Sequence, residues 1–226
     1  MNILAAVPAY NSEATVGKVV EGARVHVEPV LVIDDGSVDD TARVAREAGA
    51  LVIRLMRNRG KGHALRVAFR VALEMEADAL ITLDADLQHD PLEIPRFIEK
   101  YRSTGAKIVS GRRLEDKKEI PPLRYAMNRI GTTAFSWLLG RQVEDSQCGF
   151  RLYDREVIEK IRLFNDGFEA EADLLLRAGK RGWRIDFVPI KAIYFSGQGR
   201  GSHYRHVRDT FRICIIFLMN LFWKNR

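Results

Sequence analysis

Three short apolar runs that stop abruptly on polar, chemically capable residues constrain this chain more than any other feature. Ile3–Val7 ends at Pro8-Ala9-Tyr10-Asn11, Val30–Ile33 runs into Asp34-Asp35-Gly36-Ser37, and Ala79–Leu83 stops at Asp84-Ala85-Asp86-Leu87-Gln88-His89. Each has the length of a buried strand, and each is followed by a stretch of helical pattern. Those stretches cover about Glu13 to Arg24, a cap at Asp39 or Asp40 through Ala48, and Leu92–Ser103 behind Pro91. Leu51–Leu55 and Lys107–Ser110 read as further strands, with a helix from about His63 to Glu76 between them. Strands alternating with helices predict an α/β fold with a mostly parallel, doubly wound sheet. The C-terminal ends of parallel strands lie along one rim, where ligands bind in open sheets, so three distant sites become one crevice.

The second half changes character. A long helical stretch from Leu123 to Leu139 contains Trp137, and Asp145–Phe150 reads as a loop followed by short helices to about Arg181. Ile185–Val188 and Ile190–Phe195 are strand-like, and the chain ends in a basic and apolar segment, Arg205–Arg226. With 226 residues, 46% of them hydrophobic, there is material for one large core. Cys148 and Cys214 lack metal-type spacing and read as free thiols of a reducing compartment. Met1–Pro8 lacks a basic, long apolar leader, and no run reaches the roughly 18–20 apolar residues of a membrane span. The expectation is a cytoplasmic chain.

The Asp84-x-Asp86 pair gathers oxygen ligands at a strand end, which suits a hard divalent cation, Mg²⁺ or Mn²⁺. The plainer alternative is an acidic turn capping the next helix. Asp34-Asp35-Gly36-Ser37 reads either as acceptors for a base or ribose, or as a tight turn before a cap. Asn58-x-Gly60-x-Gly62 reads either as a phosphate cradle or as a loop turning into a helix. The formal charge of +6 fits nucleotide phosphates, an anionic membrane or nucleic acid alike. A basic nucleic-acid module accounts for that charge but not for the carboxylate-lined strand ends, so no nucleic-acid partner is expected.

Taken in order, Val7-Pro8-Ala9-Tyr10-Asn11, Val32-Ile33-Asp34-Asp35-Gly36-Ser37, Asn58-Arg59-Gly60-Lys61-Gly62 and Asp84-Ala85-Asp86-Leu87-Gln88-His89 resemble the family 2 glycosyltransferases of GT-A fold. Ser110-Gly111-Arg112, Asp145-Ser146-Gln147-Cys148-Gly149-Phe150-Arg151 and Gly182-Trp183-Arg184-Ile185 continue the match. Within that family the chain is most similar to the dolichyl- and polyprenyl-phosphate mannosyl- and glucosyltransferases.

The resemblance implies a nucleotide-sugar donor of GDP-mannose or UDP-glucose type. Pro8, Tyr10 and Asp35 fall where the family holds base and ribose. Asp84, Ala85 and Asp86 occupy the DXD-like motif, with Asp86 and Gln88 at the metal-ligand positions and Asp84 beside them. Arg112 sits at a donor-contacting arginine. The family has Glu directly after Tyr-Asn; here Ser12 intervenes and Glu13 follows. Where the family often has Ser-Lys near the end, this chain has Ser202-His203, so Arg200 and His203 stand as the phosphate contacts, with Arg205 nearby.

The acceptor decides whether a base is needed. A hydroxyl must lose a proton, whereas a phosphate monoester, with a second pKa of about 6, is already largely anionic. Cations serve that second acceptor best, and Arg124, Arg129, Arg200, His203 and Arg205 are the candidates. Asp145 is the leading acidic candidate near the reacting centre, the alternative being an acid that pairs with Arg151 to hold its loop. Glu169 and Glu171 are weaker candidates, readable as a polar first helical turn.

Arg205, Arg208 and Arg212 precede the apolar stretch Ile213–Trp223, which is broken only by Asn220. That pattern suits an amphipathic helix lying in a membrane interface, with a terminal helix packed on the core or in a dimer as the alternative. The expected organisation is a GT-A domain over 1–204 and an interfacial helix over 205–226. The enzyme would then act peripherally at the cytoplasmic membrane face on a polyprenyl or dolichyl phosphate. The rival acceptor is a hydroxyl of a glycan, lipid or protein.

Overall fold

A computed structural model describes residues 1–113 and 122–191, with the backbone alone over 122–130. Seven strands form one sheet in the order β3-β2-β1-β4-β6-β5-β7. They are β1 (Ile3–Ala9), β2 (Val30–Asp34), β3 (Leu51–Arg54), β4 (Ala79–Thr82), β5 (Ile108–Arg113), β6 (Arg151–Asp154) and β7 (Ile185–Ile190). Only β6 runs antiparallel, between β4 and β5. The parallel expectation holds for the other six. Ile190 closes β7, and the remainder of the strand expected over Ile190–Phe195 lies outside the described residues, apart from Lys191 just past the strand.

The helices are α1 (Val16–Arg24), α2 (Thr41–Glu47), α3 (Lys61–Glu74), α4 (Ile94–Thr104), α5 (Pro122–Leu139), α6 (Arg155–Lys160) and α7 (Glu169–Lys180). A single 3-10 turn, Pro91–Glu93, leads into α4, where Asp90 accepts a hydrogen bond from the Leu92 amide and Pro91 pre-sets φ. α3 begins at Lys61, two residues earlier than its apolar pattern suggests, because the backbone at Gly60 adopts φ +98° and turns directly into the helix.

β1, β2 and β4 are buried on both faces, as their near-continuous apolar runs require of central parallel strands. One core layer joins Leu4, Leu31, Ile33 and Leu80 to α3 and α7 through Leu65, Phe69, Leu174 and Leu175. The opposite layer packs Val7, Val32 and Ile81 against Val19 and Val20 of α1 and Phe97 of α4, whose ring stacks on Phe150 at 4.2 Å. Among the described residues no helix is long and apolar enough to cross a membrane.

The glycine pair flanking Lys61 at the start of α3 answers a question left open by the sequence. A side chain at Gly62 would overlap the Asn165 carbonyl and stand 2.8 Å from the Ala170 methyl, and the Gly62 amide donates to the Asp166 carbonyl at 2.7 Å. Arg66 fixes the same segment through the carbonyls of Leu163 and Asn165 and the carboxylate of Asp166. A Cβ at Gly60 would likewise overlap the Asp166 carbonyl, so both glycines admit another stretch of backbone. Gly62→Ala is expected to lower stability by about 1–3 kcal/mol, read as a shift in the urea midpoint at constant slope.

Candidate active site

The ends of β2, β1 and β4 are neighbours in the sheet, so the polar stops of the three runs do share one rim. Asn11, at φ +50°, stitches two of them together. Its amide donates to Ser37 Oγ at 2.9 Å and its side-chain oxygen accepts from the Val38 amide at 3.0 Å. Pro8 and Tyr10 lie half-buried at this end of β1. Glu13 is exposed, and its carboxylate accepts from the Asp40 amide at 2.9 Å, so it tethers the α2 entry.

Asp35 is buried, and its two carboxylate oxygens accept from the Arg59 and Gly60 amides at 2.9 and 2.7 Å. Burial raises its pKa against those two hydrogen bonds. The glycine-rich loop is thus bound to a protein carboxylate and to the 163–167 segment, which favours a loop turning into a helix over a phosphate cradle.

The acidic turn after β4 is more telling. Asp84, Asp86 and Gln88 are half-buried, Ala85 is buried between the two acids, and Leu87 takes the left-handed conformation at φ +61°. Asp86 Oδ1 accepts from the Gln88 amide at 3.0 Å, an Asx-type bond that closes the turn. Lys61 reaches in from α3, placing Nζ 2.5 Å from Asp84 Oδ1 and 2.9 Å from Glu171 Oε2 on α7. Burial opposes the charge on Asp84, but the Lys61 ammonium, then His89 and Arg113, hold its pKa down at about 2. Asp86 goes the other way: burial, then the neighbouring Asp84 charge, push it up to about 6.

A divalent cation fits these residues. Asp86 is a carboxylate whose ionised form is disfavoured by its surroundings, and the oxygens of Asp86 and Gln88 are hard donors. Because Asp86 protonates near pH 6, cation affinity is expected to be full above about pH 7 and to fall as pH drops through 6. Mn²⁺ titrations at pH 7.5 and 5.0 check this; equal affinities contradict it.

His89 is buried beside this turn, with its ring 5.6 Å from that of Phe150 and Nε2 3.7 Å from Cys148 Sγ. Burial keeps the imidazole neutral down to about 4. The same burial pushes the Cys148 thiol up to about 12, so it behaves as a small core residue.

Asp145 comes to the same rim, but its partner is not Arg151. Arg113, at the end of β5, grips it in a fork at 2.8 and 3.0 Å, and the amides of Gln147 and Cys148 donate to Oδ1. Although burial opposes its charge, Arg113 holds Asp145 below the usual carboxylate range. Arg151 is fully buried and instead donates to the carbonyls of Cys148, Glu171 and Ser146 at 2.8, 2.7 and 2.9 Å. Arg112 lies half-exposed, with Nε 3.0 Å from Glu144.

Sequence reasoning missed Lys61, Arg113 and the buried placement of Glu169 and Glu171. A lysine between two glycines was the available sign of close packing. Arg200, His203 and Arg205 lie outside the described residues, as does the 205–226 segment, and Arg124 and Arg129 fall where only the helix backbone is described.

A six-strand parallel framework with one antiparallel insert, and acidic strand ends on its carboxyl rim, is the architecture of the GT-A glycosyltransferases. Residues 5–162 match the family Glycosyl transferase family 2, and the chain belongs to that family. It is therefore a glycosyltransferase. It is 30% identical over 204 residues to the undecaprenyl-phosphate mannosyltransferase of Micrococcus luteus, covering 84% of this chain and 83% of the relative. It is 29% identical over 211 residues to the UDP-N-acetylglucosamine–dolichyl-phosphate N-acetylglucosaminyltransferase of Methanococcus voltae, covering 83% and 84%. Among solved structures it resembles glucosyl-3-phosphoglycerate synthase from Mycobacterium tuberculosis in complex with Mn²⁺, UDP and phosphoglyceric acid. That likeness has a TM-score of 0.79 at 19% identity, over 99% of this chain and 80% of the other.

Proposed function

We propose that this enzyme moves a hexose or N-acetylhexosamine from a nucleotide sugar to a polyprenyl or dolichyl phosphate at the cytoplasmic face of a membrane, with inversion at the anomeric carbon. The observation that carries the acceptor is the state of the acids. Asp145 is locked in a fork to Arg113, and Glu171 is held by Lys61, which it shares with Asp84, so neither carboxylate stands free to deprotonate a hydroxyl. A phosphate monoester needs no base, and the named substrates of the relatives in Micrococcus and Methanococcus are lipid phosphates.

In this reading Pro8, Tyr10 and Asp35 line the base and ribose end of the cleft. Asp86 and Gln88, with Asp84 beside them, hold Mg²⁺ or Mn²⁺ near the diphosphate. When bound, that cation supplies Lewis-acid stabilisation of the leaving diphosphate. Arg112, Arg200 and His203 add positive charge for the donor phosphates, and Asp145 acts by holding Arg113 and the 145–150 loop in register. Residues 1–204 form the catalytic domain and 205–226 an interfacial helix. The indole of Trp137, 72% exposed near the end of α5, is a second apolar feature suited to a lipid surface.

The test is transfer of labelled sugar from GDP-mannose, UDP-glucose and UDP-N-acetylglucosamine to extracted polyprenyl phosphate, against hydroxyl acceptors. Label entering the lipid phosphate supports the reading. Label entering only a hydroxyl compound rejects it.

A further inference from the structure

Lys61 has no assigned part in holding donor or cation in the reading above, yet it pairs with two carboxylates of the site at once. Its side chain is only 11% exposed, and it lies between Asp84, 28% exposed, and Glu171, 6% exposed. Three segments converge on it at the start of α3: the end of β4, the loop before β6 and the first turn of α7. The loop closes over it so tightly that a Cβ at Gly149 would stand 2.5 Å from Lys61 Nζ and 2.6 Å from Asp84 Oδ2. Thr82 Oγ1 fixes that loop by donating to the Gly149 carbonyl at 3.0 Å.

Asp84 is consequently bonded through one oxygen and hemmed in at the other. Oδ1 accepts from the ammonium at 2.5 Å, and Oδ2 lies beneath Gly149 and 3.7 Å from His89 Nδ1. Of the Asp-x-Asp pair, Asp86 is the acid whose carboxylate makes no ion pair among the described residues. With Gln88 it offers two side chains to a cation that prefers about six oxygens, which leaves most positions to a diphosphate and water. Lys61 also offsets one of three clustered negative charges, those of Asp84, Asp86 and Glu171.

We propose that Lys61, braced by Glu171, is a positioning residue that withdraws Asp84 from direct metal ligation, so that the cation is taken up together with the nucleoside diphosphate rather than alone. This inference rests on the donor and metal reading given above. It makes Asp84 a fixed charge beside the cation.

The variants Lys61→Met and Glu171→Gln carry opposite expectations. Losing the ammonium frees Asp84 and adds net negative charge, so Mn²⁺ alone binds about tenfold tighter and a diphosphate repays less. Neutralising Glu171 leaves Lys61 to Asp84 alone, so Mn²⁺ alone binds about threefold weaker while the diphosphate's enhancement is kept. Mn²⁺ binding is followed by the loss of its free electron-paramagnetic signal, with and without UDP or GDP, on variants whose folding is checked by circular dichroism.

Wild-type protein is expected to bind Mn²⁺ weakly alone and at least about tenfold tighter with one of the two diphosphates. Enhancement below about threefold in Lys61→Met, with the opposite shift in Glu171→Gln, supports the proposal. Weakening of Mn²⁺ binding in both variants marks a purely structural lysine and overturns it, as does wild-type behaviour in both. If Lys61→Met does not fold, Glu171→Gln decides alone: tighter or unchanged binding of Mn²⁺ overturns the proposal. Wild-type Mn²⁺ binding that neither diphosphate tightens overturns the donor reading itself, a separate outcome.

Discussion

Asp86→Ala is expected to reduce sugar transfer by at least about a thousandfold in kcat while the protein stays folded. Asp86 is half-buried on the carboxyl rim of the sheet, and its carboxylate accepts a hydrogen bond from the Gln88 amide within the turn. Losing that bond costs a fraction of the stability of a domain this size, whereas losing the carboxylate removes the hard ligand proposed for the cation. The sign of the stability effect can be worked out. Asp86 titrates near 6 in the fold against 3.8 for an unperturbed aspartate, because burial and then Asp84 disfavour its charge. A raised carboxylate pKa means that the folded state loses stability as pH rises from about 4 to 6, and carries the full penalty above that. Asp86→Asn, which keeps the acceptor for Gln88, is therefore expected to gain roughly 1 kcal/mol at pH 7.5 while losing activity. Parallel urea unfolding and transfer assays check both halves. Full activity in either variant contradicts the assigned role.

The second large effect concerns the fold. Arg151→Met is expected to lower stability by about 3–5 kcal/mol, enough to reduce soluble yield at 37 °C. The guanidinium is fully buried and each of its nitrogens donates to a backbone carbonyl: Cys148, Glu171 or Ser146. Methionine fills much of the volume but leaves three carbonyls without those donors. These bonds also tie the 145–150 loop to α7, so the Asp145–Arg113 fork and the Lys61–Glu171 pair lose their common support. A melting temperature within about two degrees of wild type contradicts this account.

The contrast between these two residues shows what the chain discloses before it is folded. The place of Asp86 just past a strand was legible because it follows a pure apolar run, and β1, β2 and β4 were legible for the same reason: central parallel strands need no polar alternation. β6 was not. It has four residues, Arg151–Asp154, with Arg and Asp at its ends, and it runs against its neighbours. Nothing local marks Arg151 as buried, since its partners are carbonyls of Ser146, Cys148 and Glu171 brought together only by folding.

The site divides in the same way. The aspartates and Gln88 stand in one continuous motif, whereas Lys61, Arg113 and Glu171 enter from three other elements. Asp145, read from the sequence either as an acid near the reacting centre or as a partner of Arg151, pairs with Arg113 instead. Arg151 is close to it in sequence, while Arg113 reaches it from the end of β5. Glu169 and Glu171, which read as an ordinary polar first turn, are 7% and 5% exposed because α7 packs against the core layer behind the cleft.

The claim beneath all of this is that Asp86 presents a divalent cation to the diphosphate of a sugar donor. Pulsed electron-paramagnetic spectroscopy on Mn²⁺ bound to the protein with a nucleoside diphosphate tests it directly, since phosphorus nuclei couple to the metal only when it is ligated by phosphate. Strong phosphorus coupling in the wild type, lost in Asp86→Ala, is the predicted result. Protein-bound Mn²⁺ without phosphorus coupling, or coupling unchanged when Asp86 is removed, contradicts it.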